Sequence, residues 1–316
     1  MSGPPSAPIV LTVAVCTWNR ATRLRRLLTS LASATPPPVP WEVIVVDNNS
    51  TDATPAVAEE MRSRLPLRYV HEPVQGLSAA RNRAIAEASG EILAFTDDDT
   101  TVDPGYLAAY AAAPGLDSGA SFFGGAVEVR FEAPAPDWIR LAPMIHTFTY
   151  AEMRVDSNST SIARDRLPYG CNFGFRRASA PSARFDPSLG VKGDQRIHGE
   201  ETVFMESLLD AGGRGRWLPD AVVHHWIPPE RTTWAYLWRY FVGMGRTRVL
   251  LRGTSQRFGA AGAAGAAASH LVRAGVFRAV RRRSWVGHVC LAAIAYGELA
   301  ESLATRTSPD ARAAHP

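Results

Sequence analysis

The apolar positions fall into short uninterrupted runs separated by segments of helical spacing. Ile9 to Val15, Trp41 to Val46 and Ile92 to Phe95 are continuous apolar stretches of strand length, the pattern of strands buried on both faces. Between the first two, Leu24, Leu27, Leu28 and Leu31 recur at helical spacing. Thr54 followed by Pro55 predicts an N-cap and first turn, with Val57, Met61 and Leu65 on one face. The segment from Gln75 to Ala84 predicts a helix stopped by Gly90, and Asp103-Pro104 predicts another helix start. A strand over Phe122 to Phe131 follows. Pro36-Pro37-Pro38 and the stretch Pro134 to Pro143 read as loops, and Met144 to Leu167 has too little periodicity to assign.

Each of the first three strands runs into polar residues. Thr17-Trp18-Asn19-Arg20 follows the first, Asp47-Asn48-Asn49-Ser50-Thr51-Asp52 the second and Asp97-Asp98-Asp99 the third. In an open α/β sheet, ligands bind outside the carboxyl ends of parallel strands, where these clusters would gather. Adjacent carboxylates raise one another's pKa unless a cation neutralises them, and hard oxygen donors suit Mg²⁺ or Mn²⁺. A solvated acidic turn is the competing reading of the triplet.

Taken in series, these strings, with Gly76-Leu77-Ser78-Ala79-Ala80-Arg81-Asn82 between them, resemble the family 2 glycosyltransferases of the GT-A fold. The resemblance continues through Gly170-Cys171-Asn172-Phe173-Gly174-Phe175 and Gly199-Glu200-Glu201-Thr202-Val203-Phe204, reaching about residue 250. It implies an α/β fold: a Rossmann-like α/β/α sandwich of the GT-A type with a helical C-terminal appendage. The expected organisation is a flexible N-terminus over 1–8 and a catalytic domain over 9–230. That domain divides into a nucleotide-sugar half (9–103) and an acceptor-side half (104–230), followed by a helical region over 231–305 and a tail over 306–316.

The resemblance also assigns roles. Thr17, Asn19, Arg20, Asp47, Asn49, Arg81, Asp97 and Asp98 would line the nucleotide-sugar site, with a UDP-sugar as the favoured donor. For Asp47, a cap on the turn that follows is the alternative; for Arg81, the alternatives are holding Asp97 to Asp99 in place and an ion pair on the helix face. Asp99, with Asp97 and His225, would hold a divalent metal, Mg²⁺ or Mn²⁺. Of the adjacent His224 and His225 only one can face the site, because successive strand residues point opposite ways. A structural histidine is the other reading of His225. Cys171, Asn172 and Phe173 would lie on the acceptor side. Glu201, or its neighbour Glu200, would take the proton from an acceptor hydroxyl. Glu201 stands where the family carries Asp, and two first-turn glutamates could instead serve only the helix dipole. The acceptor would be a hydroxyl-bearing glycan or a lipid-linked one.

Global properties narrow the alternatives. With 46% hydrophobic residues in 316, the chain is not mainly disordered, and a net charge of +4 does not favour nucleic acid. Three scattered cysteines without metal spacing fit a reducing, cytoplasmic setting, and no secretory signal precedes the first strand. A sugar nucleotidyltransferase would carry a glycine-rich loop after that strand, and Thr17-Trp18-Asn19-Arg20 has no glycine. A non-catalytic sugar-binding module would have no use for the paired glutamates. Toward the C-terminus, Trp234, Leu237, Trp238, Phe241 and Val242 read as an aromatic-rich helix, and Gly259 to Ala268 is an alanine-glycine stretch. Arg281-Arg282-Arg283 then precedes the apolar run Trp285 to Ile294, too short to span a bilayer. Peripheral contact with an anionic membrane and packing in the core or a homo-oligomer are the two readings of that segment.

Overall fold

The computed structural model describes residues 7–193, 195–252, 260–279 and 284–307. The first half alternates strand and helix: β1 (Leu11–Thr17), α1 (Ala21–Ser33), β2 (Trp41–Asp47), α2 (Thr54–Met61), β3 (Leu67–His71), α3 (Leu77–Glu87) and β4 (Ile92–Asp97). Then come β5 (Thr100–Val102), α4 (Tyr106–Leu116), β6 (Ala120–Phe131), α5 (Asp137–Arg140), β7 (Ser161–Ile162) and β8 (Asn172–Arg176). The chain continues through β9 (Val191–Lys192), β10 (Gln195–Arg196), α6 (Glu200–Asp210), β11 (Arg214–Ile227), α7 (Trp234–Arg252), α8 (Ala260–Ala279) and α9 (Trp285–Thr307).

The contacts divide the chain into two compact units. The first comprises residues 1–130, 151–188 and 200–226, and the second 131–150, 189–199 and 227–316. Two internal segments, 131–150 and 189–199, group with the chain from 227 onward.

The main sheet runs in the order β3-β2-β1-β4-β8-β6-β11-β5, with β7 on β11. β3, β2, β1 and β4 are parallel, whereas β8 pairs with β4 antiparallel. After β1 the chain builds outward through β2 and β3, then returns to lay β4 on the other side of β1. The direction of winding therefore reverses between β1 and β4, and a crevice opens at their carboxyl ends. Val13, Val15, Val43, Val45, Ile92 and Leu93 in these strands are fully buried, as continuous apolar runs in a parallel sheet should be. The leucines at 24, 27, 28 and 31 are the buried face of α1.

Several local expectations are corrected. β1 runs to Thr17, two residues beyond Val15, because Thr17 still pairs with Asp47 of β2. Thr54 is the first helical residue of α2 and not its cap; Asp52 Oδ1 accepts from the Thr54 amide at 3.0 Å and its hydroxyl at 2.6 Å. α4 begins at Tyr106, whose amide donates to the Asp103 carbonyl at 3.1 Å. α3 ends at Glu87, before Gly90. Gly90 is required for another reason: a Cβ there would lie 2.5 Å from the Thr12 amide nitrogen, so only glycine lets the chain pass β1. β3 went unread because it is five residues long and half exposed.

In the second unit α7, α8 and α9 are long helices. Trp234 at the start of α7 stacks on Trp138 with centroids 3.9 Å apart and lies 5.3 Å from Trp285 at the start of α9. Arg246 of α7 pairs with Glu301 of α9 at 2.7 Å. Among the described residues, no helix is long and apolar enough to cross a membrane. The Arg281-Arg282-Arg283 cluster lies outside the described residues.

Where β6, β8 and β11 converge, Gly125 leaves no room for a side chain: a Cβ would sit 1.9 Å from the Ala221 carbonyl and 2.5 Å from the Asn172 amide nitrogen. Gly125→Ala is expected to lower unfolding free energy by about 1–3 kcal/mol, the usual cost of overpacking. Urea denaturation reads this directly, and a loss below about 0.5 kcal/mol, the range of neutral surface changes, would contradict the close approach.

Candidate active site

The site assembles at the carboxyl ends of β1 and β4. The parallel register sets Cys16 beside Asp97 and Thr17 beside Asp47, which brings all three polar clusters onto one rim. Asp97 closes β4, while Asp98 and Asp99 form the turn into β5. Asp98 and Asp99 are each 3% exposed, so this is not the solvated acidic turn of the competing reading.

Their charge is met by two arginines, one at the N-cap position of α1 and one within α3. Arg20 Nη1 donates to Asp98 Oδ1 at 2.8 Å and to Asp99 Oδ2 at 3.2 Å, while the Thr17 hydroxyl donates to Asp98 Oδ2 at 2.8 Å. Asp98 chiefly, and then Asp99, hold the Arg20 guanidinium charged well above its ordinary range. Burial still pushes the Asp98 carboxyl up, as it does Asp97, which reaches about 6 despite the pull of Arg81. Arg81 lies in α3, is 2% exposed, and reaches Asp97 at 3.7 Å and Glu200 of α6 at 2.7 Å. Its guanidinium sits 5.4–6.0 Å from the ring centres of Phe95, Phe173 and Phe185.

The paired glutamates at the start of α6 differ sharply in environment. Glu200 is buried and bound to Arg81; burial first, and Glu201 second, raise its carboxyl from 4.5 to about 8. Glu201 is half-buried and accepts no hydrogen bond among the described residues. Opposite, β11 pairs with β5 so that His225 faces Thr100 in the register and the Trp226 amide donates to the Asp99 carbonyl at 2.9 Å. His225 Nε2 consequently lies 3.6 Å from Asp99 Oδ1. His224 points the other way, to Asp103 at 2.6 Å and Glu128 at 3.3 Å.

Other residues named from the sequence have different surroundings. Asp47 is 1% exposed; its Oδ1 accepts from the Ser50 amide at 2.9 Å and its Oδ2 from the Tyr69 hydroxyl at 2.7 Å. It does cap the following turn, although each carboxylate oxygen keeps a second lone pair for a ligand. Asn19 and Asn49 both adopt positive φ, 53° and 69°. Asn19 Oδ1 accepts from the Thr51 amide at 2.7 Å, stitching the loop after β1 to the loop after β2.

Asn172 and Phe173, expected on the acceptor side, sit in the packed interior. Asn172 is fully buried, with its amide nitrogen donating to the Ala126 and Ala221 carbonyls and its oxygen accepting from Tyr110. Phe173 is also fully buried and stacks on Phe95. Cys171 is buried, and that burial raises its thiol well above the ordinary value. These residues build the floor under Arg81. The Arg20 bridge, the Tyr69 contact to Asp47 and the Arg81–Glu200 pair were not read from the sequence. Each joins residues far apart in the chain with no local spacing to reveal it.

An acid triplet and a carboxylate pair at a helix start thus meet, through Arg81, at the carboxyl edge of the parallel strands. The chain belongs to glycosyl transferase family 2, whose profile matches residues 12–180. The succinoglycan biosynthesis protein ExoM of Rhizobium meliloti (strain 1021) is 31% identical over 248 residues, 77% of this chain and 75% of that protein. Validoxylamine A glucosyltransferase of Streptomyces hygroscopicus subsp. limoneus is 36% identical over 115 residues, 36% of this chain and 25% of that one. The fold is shared with the mannosyltransferase PcManGT of Pyrobaculum calidifontis in complex with GDP-Man and Mn²⁺, at TM-score 0.59 and 20% identity over 95% of this chain and 89% of that one. S. aureus TarS 1-349 in complex with UDP-GlcNAc gives 0.55 and 22% over 78% and 68%.

The raised Glu200 pKa has a consequence for folding. The folded chain retains a proton that the unfolded chain releases above 4.5, so the stability it contributes is complete below 4.5 and is lost as pH rises through about 8. Glu200→Gln removes that titration. Urea denaturation is expected to show the variant gaining on the unsubstituted protein between about pH 5 and about pH 8.5; a constant difference would contradict the raised value.

Proposed function

We propose that the chain is a metal-assisted, inverting glycosyltransferase that moves a sugar from a nucleoside-diphosphate donor to a hydroxyl acceptor by single displacement. The observation that carries this is the meeting of Asp97, Asp98 and Asp99 with Arg81, Glu200 and Glu201 at the β1/β4 crevice of a family 2 chain. The donor pyrophosphate lies at the triplet and the base and ribose lie toward Asp47, with a UDP-sugar the favoured donor. TarS with UDP-GlcNAc supports that choice by fold alone, as PcManGT with GDP-Man supports the guanosine alternative.

A divalent cation fits this donor set. The described residues hold no preformed group of three or more metal-binding side chains. Mg²⁺ and Mn²⁺ at such sites take only one or two carboxylates and draw the remaining oxygens from phosphates and water. Asp99 and Asp97 are the residues assigned to hold it, with His225 beside Asp99. When bound, the cation supplies Lewis-acid stabilisation of charge on the departing diphosphate. Arg20, bridging Asp98 and Asp99 at 2.8 and 3.2 Å, keeps those two carboxylates oriented.

Glu201 is the base. Arg81 occupies Glu200, whereas the Glu201 carboxylate is left free to accept a proton. It removes the acceptor hydroxyl proton as that oxygen attacks the anomeric carbon, and the nucleoside diphosphate departs from the opposite face of the ring. Glu200 and Arg81 position it from behind. The acceptor is a glycan or lipid-linked hydroxyl.

A screen of nucleotide-sugars with Mg²⁺ or Mn²⁺, following release of the nucleoside diphosphate, tests the activity. Asp99→Asn is expected to weaken nucleotide binding when metal is present and to leave metal-free binding nearly unchanged; undiminished metal-dependent turnover would remove Asp99 from the site. Glu201→Gln should retain donor affinity and lose transfer by about 10²–10⁴-fold. If Glu201→Gln stays active while Glu200→Gln is dead with its donor affinity intact, the two roles are exchanged.

A further inference from the structure

The charge of this chain is unevenly distributed. Residues 231–297 contain eleven of its 34 basic residues, all arginine, and none of its 30 acidic ones. Within that stretch α8 is amphipathic in an unusual sense. Ala263 and Ala274 are buried, with His270 and Phe277 half-buried on the same side, where His270 stacks on His288 of α9. The opposite face is apolar and exposed: Val272 is 68% accessible and Val276 54%, separated by one helical turn, and Leu271 is 49% accessible. At 3.6 residues per turn, Arg273 and Arg278 stand roughly 100–120° to either side of Val272, on the two flanks of that face. Both are exposed, and the Arg278 guanidinium lies 5.0 Å from the ring centre of Trp285.

We propose that the outer face of α8 binds the surface of an anionic lipid bilayer, with the helix lying in the plane of the interface. The aliphatic centre, Val272 and Val276, enters the acyl boundary, while Arg273 and Arg278 reach lipid phosphates from both flanks and the half-buried Trp285 sits at headgroup depth. Charge complementarity identifies the partner as anionic, and the exposed aliphatic line identifies it as lipid. Nucleic acid would call for cations and stacking rings on the contact face, where α8 presents valine and small residues. The absence of acidic side chains throughout 231–297 removes repulsion from the whole stretch. A lipid-linked acceptor, the class named under the proposed function, would reside in such a bilayer.

Flotation of the full chain with vesicles tests it. Phosphatidylcholine mixed with phosphatidylglycerol is expected to carry the protein at low potassium chloride, and high potassium chloride should release it; phosphatidylcholine alone should not hold it. Val272→Ser with Val276→Ser, both on an exposed face, should weaken vesicle affinity about tenfold with an unchanged thermal melt. Arg273→Gln with Arg278→Gln should weaken it and flatten the salt dependence. Absence of binding, equal binding to neutral vesicles, or serine variants that bind as well as the parent would overturn the proposal. So would salt-sensitive binding to duplex DNA with none to vesicles, or a dimer dispersed by the serine variants with none to vesicles.

Discussion

Arg81 is the interaction on which the site depends. A guanidinium with 2% exposure is tenable only because Asp97 and Glu200 are both within ion-pair reach and three phenylalanine rings surround its faces. Removing one member of such a buried pair typically costs about 3–5 kcal/mol, since the remaining charge is desolvated without compensation. The arrangement reaches into the loop before β8. A Cβ at Gly170 would lie 2.4 Å from an Arg81 nitrogen, so the space over the guanidinium has to stay empty of side chain. One guanidinium thus ties Asp97, at the end of β4, to Glu200 of α6, residues more than a hundred positions apart in sequence.

Arg20 plays a parallel part on the other side of the triplet. Three consecutive aspartates, two of them with little access to water, would repel one another, and Asp98 and Asp99 share one guanidinium while the more exposed Asp97 turns to the other. Burial still raises Asp97 and Asp98, the expected state of carboxylates whose counter-charge is incomplete. The triplet thus stands at the switch point of a parallel sheet with its negative charge only partly met.

Much of this was legible in the chain. Continuous apolar runs marked β1, β2 and β4 because both faces of a parallel sheet are covered, and the polar residues after each marked the binding edge. The first-helix leucines and the glutamates before Phe204 and Leu208 were equally plain. Strand alternation also separated His224 from His225, since only one can face Asp99. Short or half-exposed pieces escaped, as β3 did, because five residues carry too little periodicity. Thr54 reads as the cap of α2 because its residue type caps well, and only backbone geometry puts Ala53 at that position, with Asp52 accepting from Thr54 just outside the helix.

The sequence by itself determined the family, the α/β class and the residues gathered at the carboxyl edge, because these follow from periodicity and from motifs local in the chain. Tertiary structure decided how those residues divide their work. Asn172 and Phe173 lie in a motif shared with the family, yet their hydrogen bonds and ring contacts place them in the floor of the site. Glu200 and Glu201 are neighbours of identical chemistry, and only the arrival of Arg81 from α3 holds one in a buried contact at 2.7 Å, while the other stays half-buried and accepts no hydrogen bond among the described residues. Pairing between distant segments, and the desolvation it imposes, is a property of three-dimensional packing and has no local signature in the chain.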